Sequence, residues 1–247
     1  MDATVTRFIV SPTVRSSSDQ DGTTIIEITE NKIYSLIGVA SLIWEHLMRA
    51  SDGMAHTEIV QQLVNEFSAV PKAQIERDVM SIIENFQQRS LIQKQKPIQL
   101  KAPSQGYVNR ALLRLTVSIV RACRKVGLRL APAVLLFFLV DLLLLLGRFN
   151  ILYSLVEDWP ITLDKSGNAV DICNTVTAAM AWYPKQAMCL QRSVVTTCIL
   201  RTSGINAELV IGCQRRPFLV HAWTEIAGEV VNDVQRVRET HHVLDRI

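Results

Sequence analysis

Three residues in the last quarter of the chain have the types and spacing of acyl chemistry. Cys189 opens a predicted helix: Pro184 precedes it, and Ser203-Gly204 supply a stop signal on the far side. A thiol at that position faces the unpaired amides and positive pole of the helix, which lower its pKa. The same amides can hold a developing oxyanion. His221 and Asp233 lie in V-H-A-W-T-E-I-A-G-E-V-V-N-D (220–233), which reads as a β-hairpin. A nucleophile, a base and a group that orients the base are the parts of a cysteine hydrolase or acyltransferase.

The hairpin register decides whether those parts meet. A three-residue loop, Ile226-Ala227-Gly228, centres the hairpin on Ala227 and makes His221 and Asp233 cross-strand partners, with Cβ atoms roughly 5 Å apart. A two-residue turn at Ala227-Gly228 puts them on opposite faces. The three-residue loop is the expectation, because glycine last suits its left-handed position. On a regular strand Trp223 shares the face of His221 and walls the imidazole.

The motifs C-L-x-R-S (189–193), G-I-x-A-x-L-V-I-G (204–212) and H-A-W-x-E-x-x-G-x-V-V-N-D (221–233) resemble those of the lasso-peptide leader peptidases, the B proteins of lasso-peptide biosynthesis. The resemblance implies a transglutaminase-like, papain-like cysteine-protease domain. It also implies Cys189 as nucleophile, His221 as general base and Asp233 as orienter, acting to cut a leader from a ribosomally made precursor. An asparagine-synthetase-like, ATP-using cyclase is the partner it implies.

Charge is divided along the chain. Residues 1–92 carry 7 Lys+Arg against 12 Asp+Glu, and residues 93–247 carry 19 against 11. This asymmetry supports two units: 1–92, a linker at 93–110, and 111–247. The five cysteines, 123, 173, 189, 198 and 213, are odd in number and form no C-x-x-C. A disulfide framework or closed zinc site is therefore not expected, nor is any metal or cofactor. Met1–Val5 has neither a basic start nor an apolar core, so the expectation is no signal peptide and a cytoplasmic protein with reduced thiols.

In the first unit, Phe8–Val10, Thr23–Ile28 and Lys32–Leu36 read as strands, with a loop at Ser16–Gly22. Helical periodicity follows in Val39–Leu47, Ile59–Phe67 (Thr57 as N-cap) and 71–89, and Leu91-Ile92 closes the unit. Strands followed by three helices give an α+β, winged-helix-like module. Its net charge of −5 argues against nucleic acid, where phosphate contacts dominate affinity. The element order resembles PqqD-like precursor-recognition domains. That resemblance implies a leader peptide added as a strand beside Lys32, Ile33, Tyr34, Ser35 and Leu36, against the third helix. A bare oligomerisation module is the alternative.

The linker, with two prolines and a glycine, spans roughly 23 Å if flexible. Beyond it, L-A-P-A-V-L-L-F-F-L-V-D-L-L-L-L-L (130–146) sits at the lower edge of membrane-span length and is interrupted by Asp141. A helix buried under the catalytic domain, with Asp141 near Arg148 or Arg129, is the expectation; membrane contact through 130–146 is the alternative. A helix from Ala169 to Met180 leads to Trp182-Tyr183-Pro184. Cys198 and Cys213 read as packing residues, His241-His242 as a solvated tail, and His46 and His56 as without partners. Arg192 is read either as a holder of a substrate carboxylate or as one half of a surface salt bridge. Two rivals share the triad: a transglutaminase-type acyltransferase, and a non-catalytic precursor-binding carrier.

Overall fold

The computed structural model describes residues 6–30, 32–95, 106–162, 167–215 and 218–247. The chain forms two compact units, Met1–Ala102 and Pro103–Ile247.

The first unit runs β1 (Arg7–Val10), β2 (Val14–Asp19), β3 (Gly22–Glu27), β4 (Lys32–Leu36), α1 (Val39–Arg49), β5 (Met54–Ala55), α2 (His56–Glu66), α3 (Lys72–Gln88) and β6 (Ile92–Lys94). Two antiparallel sheets form, ordered β5-β1-β6 and β2-β3-β4. Ile59, Leu63, Ile75, Val79, Ile83 and Phe86, all at helical spacing, enter one core with Ile25, Ile43 and Trp44. Phe86 meets Trp44 edge-on, with centroids 5.5 Å apart. The serine run expected as a loop is strand β2. Its hydroxyls find partners: Ser16 Oγ accepts from Trp44 Nε1 at 3.0 Å, and Ser18 pairs with Thr23 at 2.7 Å. Helix α2 begins one residue before Thr57, because Glu58 Oε2 reaches back to accept the Ala55 amide at 3.0 Å. His46 does have a partner, Glu66 Oε1, at 3.0 Å.

β6 and the start of α4 (Gly106–Lys125) take up the two ends of the segment read as a linker; its middle, 96–105, lies outside the described residues. The second unit continues with α5 (Ala131–Leu145), α6 (Phe149–Glu157), α7 (Ala169–Met180), α8 (Cys189–Thr202), β7 (Glu208–Arg215), β8 (Phe218–Ile226), β9 (Glu229–Val230), α9 (Val237–Thr240) and β10 (His242–Arg246). Its antiparallel sheet is ordered β10-β7-β8-β9.

Helix α8 is central. It packs on α5, α7 and β8, and beyond its first turn only Arg192 escapes burial. A helix enclosed on all sides has no polar face, so its hydroxyls must bond inward. Ser193 Oγ donates to Ala222 O at 2.9 Å, and Thr197 and Thr224 pair at 3.2 Å. At the far end the buried Arg201 guanidinium donates to the carbonyls of Val156, Ala207 and Ile247. It ties α6, the approach to β7 and the chain's last residue to α8.

Helix α5 buries Ala133, Leu136, Phe137, Val140 and Leu143. Asp141 does not pair with Arg148 or Arg129. Lys185 Nζ lies 2.7 Å from its Oδ2, and Gln191 Nε2 donates to Oδ1 at 3.3 Å. Lys185 holds this carboxyl below its ordinary range. Among the described residues no helix is long and apolar enough to cross a membrane.

Candidate active site

The segment before Cys189 is held from two sides. Gln191 Oε1 accepts the Met188 amide at 2.7 Å, while its Nε2 reaches Asp141. This fixes the entry angle of the chain and places Cys189 at the first position of α8. The thiol is half-buried and hydrogen-bonds to His221, and the backbone amides of Ala222 and Leu190 point at the sulfur. The His221 bond is the largest influence on it. Burial opposes that bond, and the balance leaves the Cys189 thiol below its ordinary value of 9.0.

His221 sits in β8, where Gly212 of β7 is its cross-strand partner. Its Nε2 lies 2.8 Å from Asp233 Oδ2, which leaves Nδ1 for the thiol. The bond to Cys189 and then the one to Asp233 outweigh burial, so the imidazole is raised above 6.5. Trp223, two residues on and on the same face, stacks at 24° with centroids 6.3 Å apart. Trp223 is fully buried and donates Nε1–H to Glu225 Oε1 at 2.7 Å; Arg246 in turn holds Glu225 Oε2 at 2.6 Å.

Asp233 arrives by a different route from the one expected. Glu225 pairs with Val230 and Ile226 with Glu229, so the turn is the two-residue Ala227-Gly228, with both residues at positive φ. In a regular strand that register would turn Asp233 away from His221. The ladder stops instead. β9 ends at Val230, and Asn232 Oδ1 takes the Thr224 amide at 2.7 Å in place of a backbone carbonyl. Asn232 Nδ2 donates to Ser193 Oγ at 2.9 Å, drawing the departing chain onto α8. Asp233 then swings under the imidazole. Burial pushes its carboxyl up, but His221, the Val234 amide and Arg192 prevail and hold it below 3.8.

Two further residues join the site. Arg192 Nη2 bonds the same Asp233 Oδ2 at 2.8 Å, so it is part of a salt bridge. His241 is no solvated tail: its ring centroid lies 5.4 Å from that of His221, and Nδ1 contacts Thr240 Oγ1 at 2.9 Å. Its Nε2 is buried without a partner among the described residues, and burial lowers its pKa. A neutral ring is what tolerates an imidazolium at this distance. Asn232 stands inside the 221–233 motif without a role read from it, and His241 lies eight residues beyond the motif with no signal of its own. Trp182, seven residues before the thiol, is 71% exposed.

Cys198 and Cys213 are buried, and burial pushes the Cys198 thiol up to about 12. Among the described residues no cluster of three His, Cys, Asp or Glu could hold a metal. In the first unit, Lys32, Ile33, Tyr34, Ser35 and Leu36 form β4, an edge of its sheet. Arg89 lies over the Tyr34 ring, 5.1 Å from its centroid, so the end of α3 adjoins β4.

Comparison with known proteins assigns both units. Residues 133–245 match the transglutaminase-like superfamily, and residues 21–92 match coenzyme PQQ synthesis protein D, PqqD. The microcin J25-processing protein McjB of Escherichia coli is 39% identical over 59 residues, 24% of this chain and 28% of that protein's length. Among solved structures, TbiB1 in complex with the TbiA(beta) leader peptide aligns with 24% identity and a TM-score of 0.33, covering 36% of this chain and 99% of that one. Lasso peptide synthetase B1 complexed with the leader peptide aligns with 20% identity and a TM-score of 0.31, covering 35% and 98%. The chain thus carries a PqqD domain followed by a domain of the transglutaminase-like superfamily.

Proposed function

We propose that this protein is a cysteine peptidase that removes the leader from a ribosomally made lasso-peptide precursor. The observation that carries the reading is His221 hydrogen-bonded to Cys189 on one side and Asp233 on the other. The Cys189 thiolate attacks the carbonyl at the leader–core junction, and the oxyanion develops toward the first-turn amides of α8. The His221 imidazolium gives its proton to the departing core amine, leaving the leader as a thioester on Cys189. His221, now neutral, takes a proton from water; the hydroxide equivalent opens the thioester, releases the leader as its acid and restores the thiolate–imidazolium pair. Asp233 keeps the ring in the productive orientation throughout.

The PqqD domain is the capture module in this reading. The exposed edge of β4 offers unpaired backbone groups to an extended leader, which would lie along Lys32–Leu36 beside α3. Tethering the captured substrate raises its effective concentration without new contacts at the thiol. The freed core passes to an ATP-using, asparagine-synthetase-like cyclase. Support for this assignment comes from the two domain matches and from the McjB relative, whose name describes processing of a peptide.

Mass spectrometry of precursor incubated with the protein in heavy-oxygen water tests the chemistry. Hydrolysis yields a leader whose new C-terminal carboxylate carries the label and a core with a free amine. An unlabelled leader joined to an amine would instead identify an acyltransferase.

A further inference from the structure

We infer that the outward face of α5 docks in the plane of an anionic lipid surface. The helix is apolar on both sides. Opposite its buried face, Leu135, Phe138, Leu142 and Leu145 are all exposed, at spacings of three, four and three that keep them on one stripe. Leu146 and, in the turn before α5, Val126 and Leu128 extend it. An exposed apolar stripe along a whole helix marks an interaction surface, not chance exposure of single residues. At 15 residues the helix is about 22 Å long, short of the roughly 30 Å hydrocarbon core, so it can lie in the interface but not span it.

Charge selects the partner. From residue 106 to residue 140 the sequence has six Lys or Arg and no Asp or Glu. Arg129 and Arg148 are exposed just beyond the two ends of α5, and Arg110, Arg114 and Arg121 are exposed on α4 at spacings that share one face. Apolar side chains bracketed by arginines match acyl chains beneath anionic headgroups. A second copy fits poorly. Whether two α5 helices met parallel or antiparallel, Arg129 and Arg148 would face only one another's like charges. The one carboxylate of the helix, Asp141, is bonded to Lys185 and Gln191, and the Lys185 ammonium offsets its charge.

Co-sedimentation of the full-length protein with vesicles tests the assignment. Mixed phosphatidylcholine–phosphatidylglycerol vesicles should carry the protein down, pure phosphatidylcholine vesicles should not, and high salt should weaken the binding. Arg129→Ala with Arg148→Ala should lower the partition coefficient about thirtyfold at an unchanged thermal midpoint. Leu142→Asp with Phe138→Asp should abolish binding. Failure of the wild type to bind anionic vesicles, or wild-type binding by the arginine double variant, overturns the assignment. So does a dimer in light scattering that the Leu142→Asp, Phe138→Asp variant converts to monomer, because the face would then belong to a second copy.

Discussion

His221 Nε2 and Asp233 Oδ2 are 2.8 Å apart although the two residues are not cross-strand partners. The contact depends on the ladder ending at Val230 and on Asn232 substituting its side chain for the next backbone bond. Asn232→Ala removes both the Thr224 and Ser193 bonds. It should lower kcat about 100-fold, the scale of an ångström-sized misplacement, with little change in leader affinity. Asn232→Asp, which keeps the acceptor for Thr224, should recover part of the loss. Steady-state kinetics on precursor checks this; an unchanged kcat in the alanine variant would show that Asp233 is held some other way.

The Cys189–His221 pair sets the pH profile. Cys189 is lowered from 9.0 and His221 raised from 6.5, so both shifts move the pair toward the thiolate–imidazolium form. Activity should rise as the thiol ionises, at a pH below that of an ordinary cysteine, and fall as His221 loses its proton, above that of an ordinary histidine. In His221→Ala the alkylation rate of Cys189 should have its acid limb moved up toward 9. The sign for stability follows from Asp233. Its depressed carboxyl contributes above the ordinary carboxylate range, and that contribution is lost as pH falls through its folded value.

Gly212 makes room for the ring behind the imidazole. A Cβ there would lie 2.6 Å from Trp223 Cη2 and 3.1 Å from the His242 carbonyl. Gly212→Ala should destabilise the second unit by about 1–3 kcal/mol and, by shifting Trp223 against His221, reduce kcat further than the stability loss explains. Thermal unfolding and kcat measured together separate the two effects.

Arg201 is a purely structural prediction. Arg201→Met leaves the Ala207 carbonyl without its donor and takes the guanidinium from the carbonyls of Val156 and Ile247, which keep the Trp159 and Leu209 amides, a loss of about 1–3 kcal/mol. Denaturant unfolding of the full chain reads it, and a variant of wild-type stability would contradict the role.

Much of this was legible in the sequence because it rests on local signals. The start of α7 follows from Asn168, the bounds of α8 follow from Pro184 and Ser203-Gly204, and the place of Cys189 follows from that helix start. What was not legible depends on partners distant in sequence. The Ser16–Ser18 run looks like a loop until Trp44 and Thr23 supply its bonds. Asp141 pairs with Lys185, 44 residues away, and no spacing rule reaches that far. The hairpin turn departs from its sequence pattern for a local reason: Ala227 adopts a positive φ of 50°, a conformation usual for glycine or asparagine.

The most direct measurement compares Cys189→Ala with wild type in one tube of precursor, following leader release by mass and leader affinity by titration. Release should be abolished while affinity stays at the wild-type value. Release at the wild-type rate from a protein with no sulfur at position 189 would contradict the peptidase reading.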